Sequence, residues 1–341
     1  MRLHQPHPPL RGVLPLAESR AGLTWVSRTV RECAVQDWWV LAYYVALFLA
    51  AWQGSGPMRE RCLERTAALV ALYLSTLCLI RGGLIRHRVV VPLLYRLVVY
   101  GGVQLSYFML RDLLPTASPA VLDGQLYALD QRIFGVEPTL WADRFVTRAT
   151  TEWFSFFYFS YFFLLAAHVL PLLFVMRRLR LAAEFALAIF FVFCTAHVLY
   201  MVVPGFGPYW YLADRYENTL PHGFFYDLVL DTVSTGGALK DIFPSLHTAA
   251  PTAIALFSWR HRREMPFRYT WPITAFFALN IIGATIFLRW HYAIDVVAGL
   301  ALASAGVGLA ARIAPREQER RARLGLSTTW PALPWRGPPI L

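Results

Sequence analysis

The sequence predicts an all-α fold: a polytopic transmembrane helical bundle of about six to eight spans. Composition is the first ground. Of 341 residues, 57% are hydrophobic, 15% aromatic and only 16% charged, against about 25% charged in a soluble domain. Much of the surface therefore faces something other than water. The second ground is a series of apolar segments near Trp38–Trp52, Thr66–Ile80, Val89–Leu110, Trp153–Met176, Leu181–Val203, Ser245–Trp259, Trp271–Leu288 and Ala293–Ala314. The third is that Arg clusters alternate with these segments in a way that puts every cluster on one side of the bilayer.

Residues 1–37 are rich in Pro and Arg. They contain no compact apolar run followed by a small-residue cleavage site, so they do not read as a signal peptide. Trp25 to Trp39 have the pattern of a short amphipathic helix lying along the interface. Residues 38–110 form a unit of N-terminal transmembrane helices, residues 111–314 a membrane domain carrying the candidate site, and residues 315–341 a polar C-terminal tail. A spanning helix needs about 20 mostly apolar residues. The first, second and sixth segments are shorter and must borrow flanking residues. Arg96 falls inside the third, which is costly unless it snorkels or pairs.

Net charge is +11, nearly all of it from Arg; Lys240 is the sole lysine. The arginines sit in short clusters between apolar runs, not along one polar face, which argues against nucleic acid as a partner. Arg2, Arg11, Arg20, Arg28 and Arg31 precede the first segment. Arg81, Arg86 and Arg88 follow the second, Arg177, Arg178 and Arg180 the fourth, Arg260, Arg262, Arg263 and Arg268 the sixth, and Arg312, Arg316, Arg320, Arg321 and Arg323 the eighth. With eight spans all five clusters share one side, which the positive-inside rule makes cytoplasmic. The four cysteines, Cys33, Cys62, Cys78 and Cys194, show neither metal spacing nor a paired framework and read as inert.

Two long connections fall on the opposite side. The first, Arg111 to Glu152, contains Leu126–Gly135, an amphipathic helix ended by its glycine. The second, Pro204 to Pro244, opens with Pro204-Gly205-Phe206-Gly207-Pro208-Tyr209-Trp210-Tyr211, too interrupted by Gly and Pro for helix. Long loops of this kind are often functional.

Two stretches carry chemistry. In Lys240-Asp241-Ile242-Phe243-Pro244-Ser245-Leu246-His247, Pro244 is expected at the first helical position. The free amides and positive dipole of the following turn suit an anion, phosphate above all. Ser245 adds a hydroxyl, Lys240 a charge, and His247 lies in the same turn. The plain alternative is a common Pro-Ser helix start with an interfacial histidine. In the second stretch, Arg289-Trp290-His291-Tyr292-Ala293-Ile294-Asp295, His291 and Asp295 are four apart and are expected to share a helix face. A carboxylate there can bond one ring nitrogen and leave the other free to attack. The alternative is an ordinary i,i+4 pair, although a carboxylate inside a membrane is usually functional. Both histidines and the Gly/Pro loop fall on the non-cytoplasmic side. There is no zinc spacing, Gly-rich nucleotide loop or serine elbow.

These residues resemble the type 2 phosphatidic acid phosphatase superfamily. Pro244-Ser245-Leu246-His247 resembles its second motif, and His291-Tyr292-Ala293-Ile294-Asp295 followed by Gly299 its third. Leu126–Gly135 continuing to Trp141, and Tyr200 followed by Pro204 and Pro208-Tyr209-Trp210-Tyr211, resemble the inositol phosphotransferase branch typified by inositol phosphorylceramide synthase. The resemblance runs from about Leu122 to Ala314. It departs from the phosphatase branch at Val203-Pro204, which lacks the basic residues of the first motif although His197 is nearby, and at Ala284-Thr285, where that branch has Ser-Arg.

The resemblance implies that His291 is the nucleophile, Asp295 its orienting partner and His247 the general acid and then base. Lys240, Ser245 and Arg289 would hold the phosphate. It implies no cofactor and no metal. The expected activity is transfer of a phosphoryl headgroup, inositol phosphate by the branch, from a phospholipid donor to a lipid alcohol acceptor. The alternative is a lipid phosphate phosphatase, in which water is the acceptor. A transporter would line a pathway with ionisable groups at mid-depth, whereas here they collect at one face.

Overall fold

The computed structural model describes residues 24–175 and 178–334. Arg2, Arg11, Arg20 and Arg177 of the basic clusters lie outside the described residues. A short helix, α1 (Trp25–Glu32), leads into α2 (Val35–Gln53) and α3 (Arg59–Arg81). The third span, α4, runs over Val90–Ala117, and after a loop α5 occupies Asp123–Phe134. Then come α7 (Arg148–Val175) after a one-turn α6 (Pro138–Ala142), and α8 (Leu179–Val202). The long second loop carries α9 (Phe224–Gly236). The chain closes with α10 (Leu246–Arg260), α11 (Phe267–Phe287) and α12 (Ala293–Arg323). Among the described residues there is no strand, only a single parallel bridge between Gly205 and Asp241.

Seven of these helices are long and apolar enough to cross a membrane, and all eight segments read from the sequence are helical. The helix outside the seven is α10. Its 15 residues rise about 22 Å, short of the roughly 30 Å hydrocarbon core. A helix that short begins below one surface of the bundle. It is wrapped by α11 and α12, while α12 also packs on α8, and α7 on α11 and α9. The N-terminal unit joins this core where α2 meets both α3 and α8.

Two of the long spans are not regular. In α4 a wide turn at Leu97–Gly101 interrupts the helix, and in α7 another follows Pro171, which has no amide to donate. These interruptions accommodate Arg96. Its guanidinium is buried and donates to the carbonyls of Leu173 (2.8 Å), Pro92 (2.9 Å) and Pro331 (2.9 Å), with Trp330 against its face. The cation does not snorkel; carbonyl dipoles solvate it where it lies.

Pro331 and Trp330 belong to the tail expected to be polar and separate. Instead α12 continues to Arg323, past the boundary at 314, and the chain turns at Gly325 (φ 58°) to fold back. Trp330 and Leu333 are buried, Trp330 edge-on to Tyr95 at 5.1 Å. The same region holds a buried ion pair. Arg81 Nε donates to Asp37 Oδ2 at 2.8 Å, Tyr95 donates to the other Asp37 oxygen, and Arg81 also reaches the carbonyls of Thr328 and Thr329. One α2 residue, one α3 residue and the tail are thereby fastened together.

The pair's worth lies in not being broken. Asp37→Asn would leave Arg81 buried without its counter-charge, which costs about 3 kcal/mol or more. It should visibly lower the thermal unfolding midpoint in detergent. Arg65→Ala, which removes an exposed partner of Asp112, should leave that midpoint nearly unchanged.

Candidate active site

The site forms where α10 and α12 both begin. Gly299 lets them meet: a Cβ there would lie 2.6 Å from the Ser245 carbonyl oxygen and 3.0 Å from Thr248 Cβ. The Ser245 amide donates to the Asp295 carbonyl at 3.0 Å. This crossing brings the rings of His247 and His291 to 6.5 Å, centroid to centroid.

His291 does not share a face of α12 with Asp295, as expected from the spacing. It lies just ahead of the helix, whose N-cap is Tyr292. Its Nδ1 donates to the Ile242 carbonyl at 2.9 Å and stands 3.5 Å from Asp295 Oδ2. A carbonyl only accepts, so Nδ1 carries the proton and Nε2 keeps its lone pair. Burial pushes the His291 pKa down to about 4, against the opposing pull of Asp241 and of the Ile242 carbonyl. The ring is therefore neutral at pH 7.

Asp295 is occupied with the helix itself. Its Oδ2 accepts the Tyr292 amide at 2.9 Å, while its Oδ1 is buried without a partner. From across the site, Asp130 of α5 accepts the amides of Ala293 (2.6 Å) and Ile294 (2.8 Å). Asp123, two turns earlier on the same face of α5, accepts the amides of Phe206 (2.9 Å) and Gly207 (2.7 Å) and the Tyr292 hydroxyl (3.1 Å). Helix α5 matches the expected amphipathic helix, including its left-handed Gly135 cap. The two acids on its inner face were not singled out from the sequence. Their signal was the seven-residue spacing. Gly207 takes φ 93°, and any side chain there would also strike the Trp290 carbonyl.

The start of α10 is arranged differently. Pro244 is not its first residue; Ser245 is the N-cap, its Oγ accepting the Thr248 amide at 3.2 Å, and the helix begins at Leu246. The amides of Leu246 and His247 have no intrahelical partner, as in any first turn. The His247 ring stacks on Tyr158 (4.2 Å, 13°) and lies 4.3 Å from Tyr161, both on α7. Its Nε2 is buried without a partner. These two tyrosines lie in the fourth apolar segment and were not singled out from the sequence.

The two expected phosphate cations spend their donors elsewhere. Lys240 Nζ donates to the carbonyls of Ser118 (3.3 Å) and Ala120 (3.1 Å). Arg289, in a left-handed conformation (φ 68°) beyond the end of α11, turns to Asp143 Oδ1 (2.6 Å) and the Asn218 carbonyl (2.5 Å). Its guanidinium lies flat on Tyr216 at 3.8 Å, with Nε buried and unpartnered. The expected broken stretch at Pro204–Tyr211 contains one helical turn, Pro208–Tyr211. His197, noted beside the first-motif position, is buried in α8 with Nδ1 2.8 Å from the Tyr43 hydroxyl.

A family model described as the PAP2 superfamily matches residues 124–309, more than half of the chain. The matched region spans α5 from its second residue, the rest of the first long loop, the whole of the second and both histidines, and excludes α1 to α4. No curated protein and no solved structure matches the chain.

The capping by Asp130 can be tested by graded substitution. Asp130→Ala should remove two hydrogen bonds from the start of α12, costing about 1–2 kcal/mol. It should depress turnover of a labelled phospholipid, because His291 adjoins the released turn. Asp130→Asn keeps one acceptor and should fall between Ala and wild type in both thermal unfolding and turnover.

Proposed function

The chain belongs to the PAP2 superfamily, and on that footing we propose that it is an integral membrane phosphotransferase working through a covalent intermediate on His291. Superfamily membership fits a phosphatase or a phosphotransferase. The observation that carries the finer reading is the pair of rings 6.5 Å apart. One has Nδ1 committed to a carbonyl and Nε2 left to attack, and the other has an unpartnered Nε2.

In the first half-reaction, His291 Nε2 forms the N–P bond as the bond from phosphorus to the lipid alkoxide breaks, and His247 gives that oxygen a proton. In the second, His247 takes the proton of an acceptor hydroxyl as its oxygen bonds to phosphorus and the N–P bond breaks. One hard displacement becomes two easier ones. The phosphoryl oxygens would be received by the first-turn amides of α10, which have no intrahelical partner. Ser245 shapes that turn. Lys240 and Arg289 hold the surrounding loops and add positive potential to the phosphate only from a distance. Among the described residues no three His, Cys, Asp or Glu side chains group so as to hold a metal ion.

The donor is a phospholipid and the acceptor a lipid alcohol. Inositol phosphate as the transferred headgroup is supported by the likeness of Leu126–Trp141 and of Tyr200 through Tyr211 to the inositol branch. Helix α5, the first of these stretches, braces the start of α12.

The experiment is labelling with a phosphodiester bearing a good leaving group, in EDTA throughout. Acid-labile phosphate should appear on His291, should vanish in His291→Ala, and should still load in His247→Ala, where the leaving group needs no proton. Because burial lowers the His291 pKa, the reactive neutral form is present above about 4. Loading should be flat from pH 8 to 5 and fail only as pH drops through about 4. Label on another residue, or loss of loading in EDTA with recovery in magnesium, would refute the mechanism. Release of phosphorylated headgroup to water in preference to an added lipid alcohol would make the enzyme a phosphatase.

The site is proposed to face the non-cytoplasmic side, on the strength of the Arg clusters at the other end. With single cysteines at the exposed positions Asp214 and Arg263 in a cysteine-free background, an impermeant reagent on intact cells should label position 214 and spare 263. The reverse pattern would put the site in the cytoplasm.

A further inference from the structure

Asp241 stands near His291, whose charged form it favours, yet no step of the proposed reaction uses it. It is half-buried in the loop before α10. The carbonyl of the next residue, Ile242, takes the His291 Nδ1 proton. Its backbone bridges to Gly205. Tyr107 of α4 donates to its Oδ2 at 2.7 Å, and the Tyr107 oxygen in turn accepts the Ala238 amide at 3.4 Å. The carboxylate is thus aimed by a residue outside the family-matched region. Among the described residues Tyr107 is its one side-chain hydrogen-bond partner.

A carboxylate at this position is a poor neighbour for a phosphomonoester dianion. Like charges repel strongly where water is scarce, and the nearby cations are committed to Ser118, Ala120 and Asp143. Burial also raises the Asp241 pKa, as expected of an acceptor still lacking donors. A phosphodiester carries one charge less. If its headgroup bears hydroxyls, each can donate to a carboxylate, which only accepts.

The headgroup is also the part of a donor that stays on phosphorus through both half-reactions, on the His291 side, while alcohols leave and arrive beside His247. We infer that Asp241, aimed by Tyr107, binds a hydroxyl of the transferred headgroup, so that the site selects phosphodiester lipids with polyhydroxylated headgroups over phosphomonoesters. This rests on the reading of His291 and His247 as the reacting pair. Asp241 is its specificity-determining residue and Tyr107 a positioning residue.

The test separates binding from turnover. Full-length His291→Ala protein in detergent is titrated calorimetrically with glycerophosphoinositol, glycerophosphocholine and glycerol phosphate. The polyol diester should bind best. Asp241→Asn, nearly isosteric, should weaken it by about 10-fold or more, the scale of one hydrogen bond to a charged group. It should leave the choline diester unchanged and improve glycerol phosphate. Tyr107→Phe should shift the same ratios in the same direction by less, with the thermal midpoint showing that both variants fold.

Equal weakening of all three ligands, or no change in their ratio, would overturn the inference even if wild type forms phosphohistidine. A retained preference in a protein that forms no phosphohistidine would overturn the reaction and leave Asp241's role standing. In the otherwise wild-type enzyme, an Asp241→Asn effect on the KM of the lipid alcohol, with donor KM unchanged, would assign the hydroxyl to the acceptor and also overturn the inference.

Discussion

A helix that starts inside a membrane protein exposes amide donors that water cannot reach, and each needs an acceptor. The start of α12 is answered completely by protein: Asp295 takes the Tyr292 amide, and Asp130 takes those of Ala293 and Ile294. At the start of α10 the Ser245 amide goes to the Asp295 carbonyl and the Thr248 amide to Ser245 Oγ, while among the described residues those of Leu246 and His247 find no partner. This asymmetry assigns the two ends different work. The capped end is rigid and carries the histidine with the freed Nε2. On the proposed function, the open end is the place where an incoming anion would complete the structure. Gly299 then sets the distance between the two ends.

Much of this was legible in the sequence and some was not, for physical reasons. Span positions follow from composition, because transfer into lipid depends on each residue nearly independently. The helix over Leu126–Gly135 followed from local periodicity and a glycine stop. His247 and His291 could be named because their motifs are short and local. Their exact seats could not. Pro244 was placed two residues too far into the helix and His291 inside a helix that it precedes, since caps are decided by hydrogen bonds that spacing does not record. Asp123 and Asp130 were missed because a carboxylate seven residues from another on an amphipathic helix also reads as a solvated face. Only the meeting of α5 with distant loop amides turns them inward. Lys240 and Arg289 show the converse: a cation close in sequence to a candidate site residue is free to point elsewhere, and Arg289 does so from a left-handed backbone.

The opposite end of the bundle follows the same rule with cations. Arg96 and Arg81 are buried, and each is surrounded by acceptors drawn from separate elements: the wide turn after Pro171, the acid of α2, and the carbonyls of the returning tail. A charge in low dielectric is tolerable only when its partners are already arranged. The tail is therefore part of the fold, and its Trp330 closes the end of the N-terminal unit. That composition alone marked the segment as polar illustrates how a few buried side chains outweigh an average.

The N-terminal unit lies outside the family match, yet it touches the reactive loop repeatedly. Tyr107 bonds Asp241, Arg111 donates to the carbonyls of Ser234 and Thr235, and the segment after α4 supplies the carbonyls for Lys240 and donates the Leu122 amide to the Pro204 carbonyl. The Pro204–Pro244 loop is thus clasped from one side by residues 107–122. Loop positions governed by so few bonds are soft unless something stiff stands behind them, and the stiff element is α4, itself fixed at its far end by Arg96. A disturbance at either end of α4 therefore has a mechanical route to the reactive loop. On this view, the helices that the family does not require set the aim of the residues that it does.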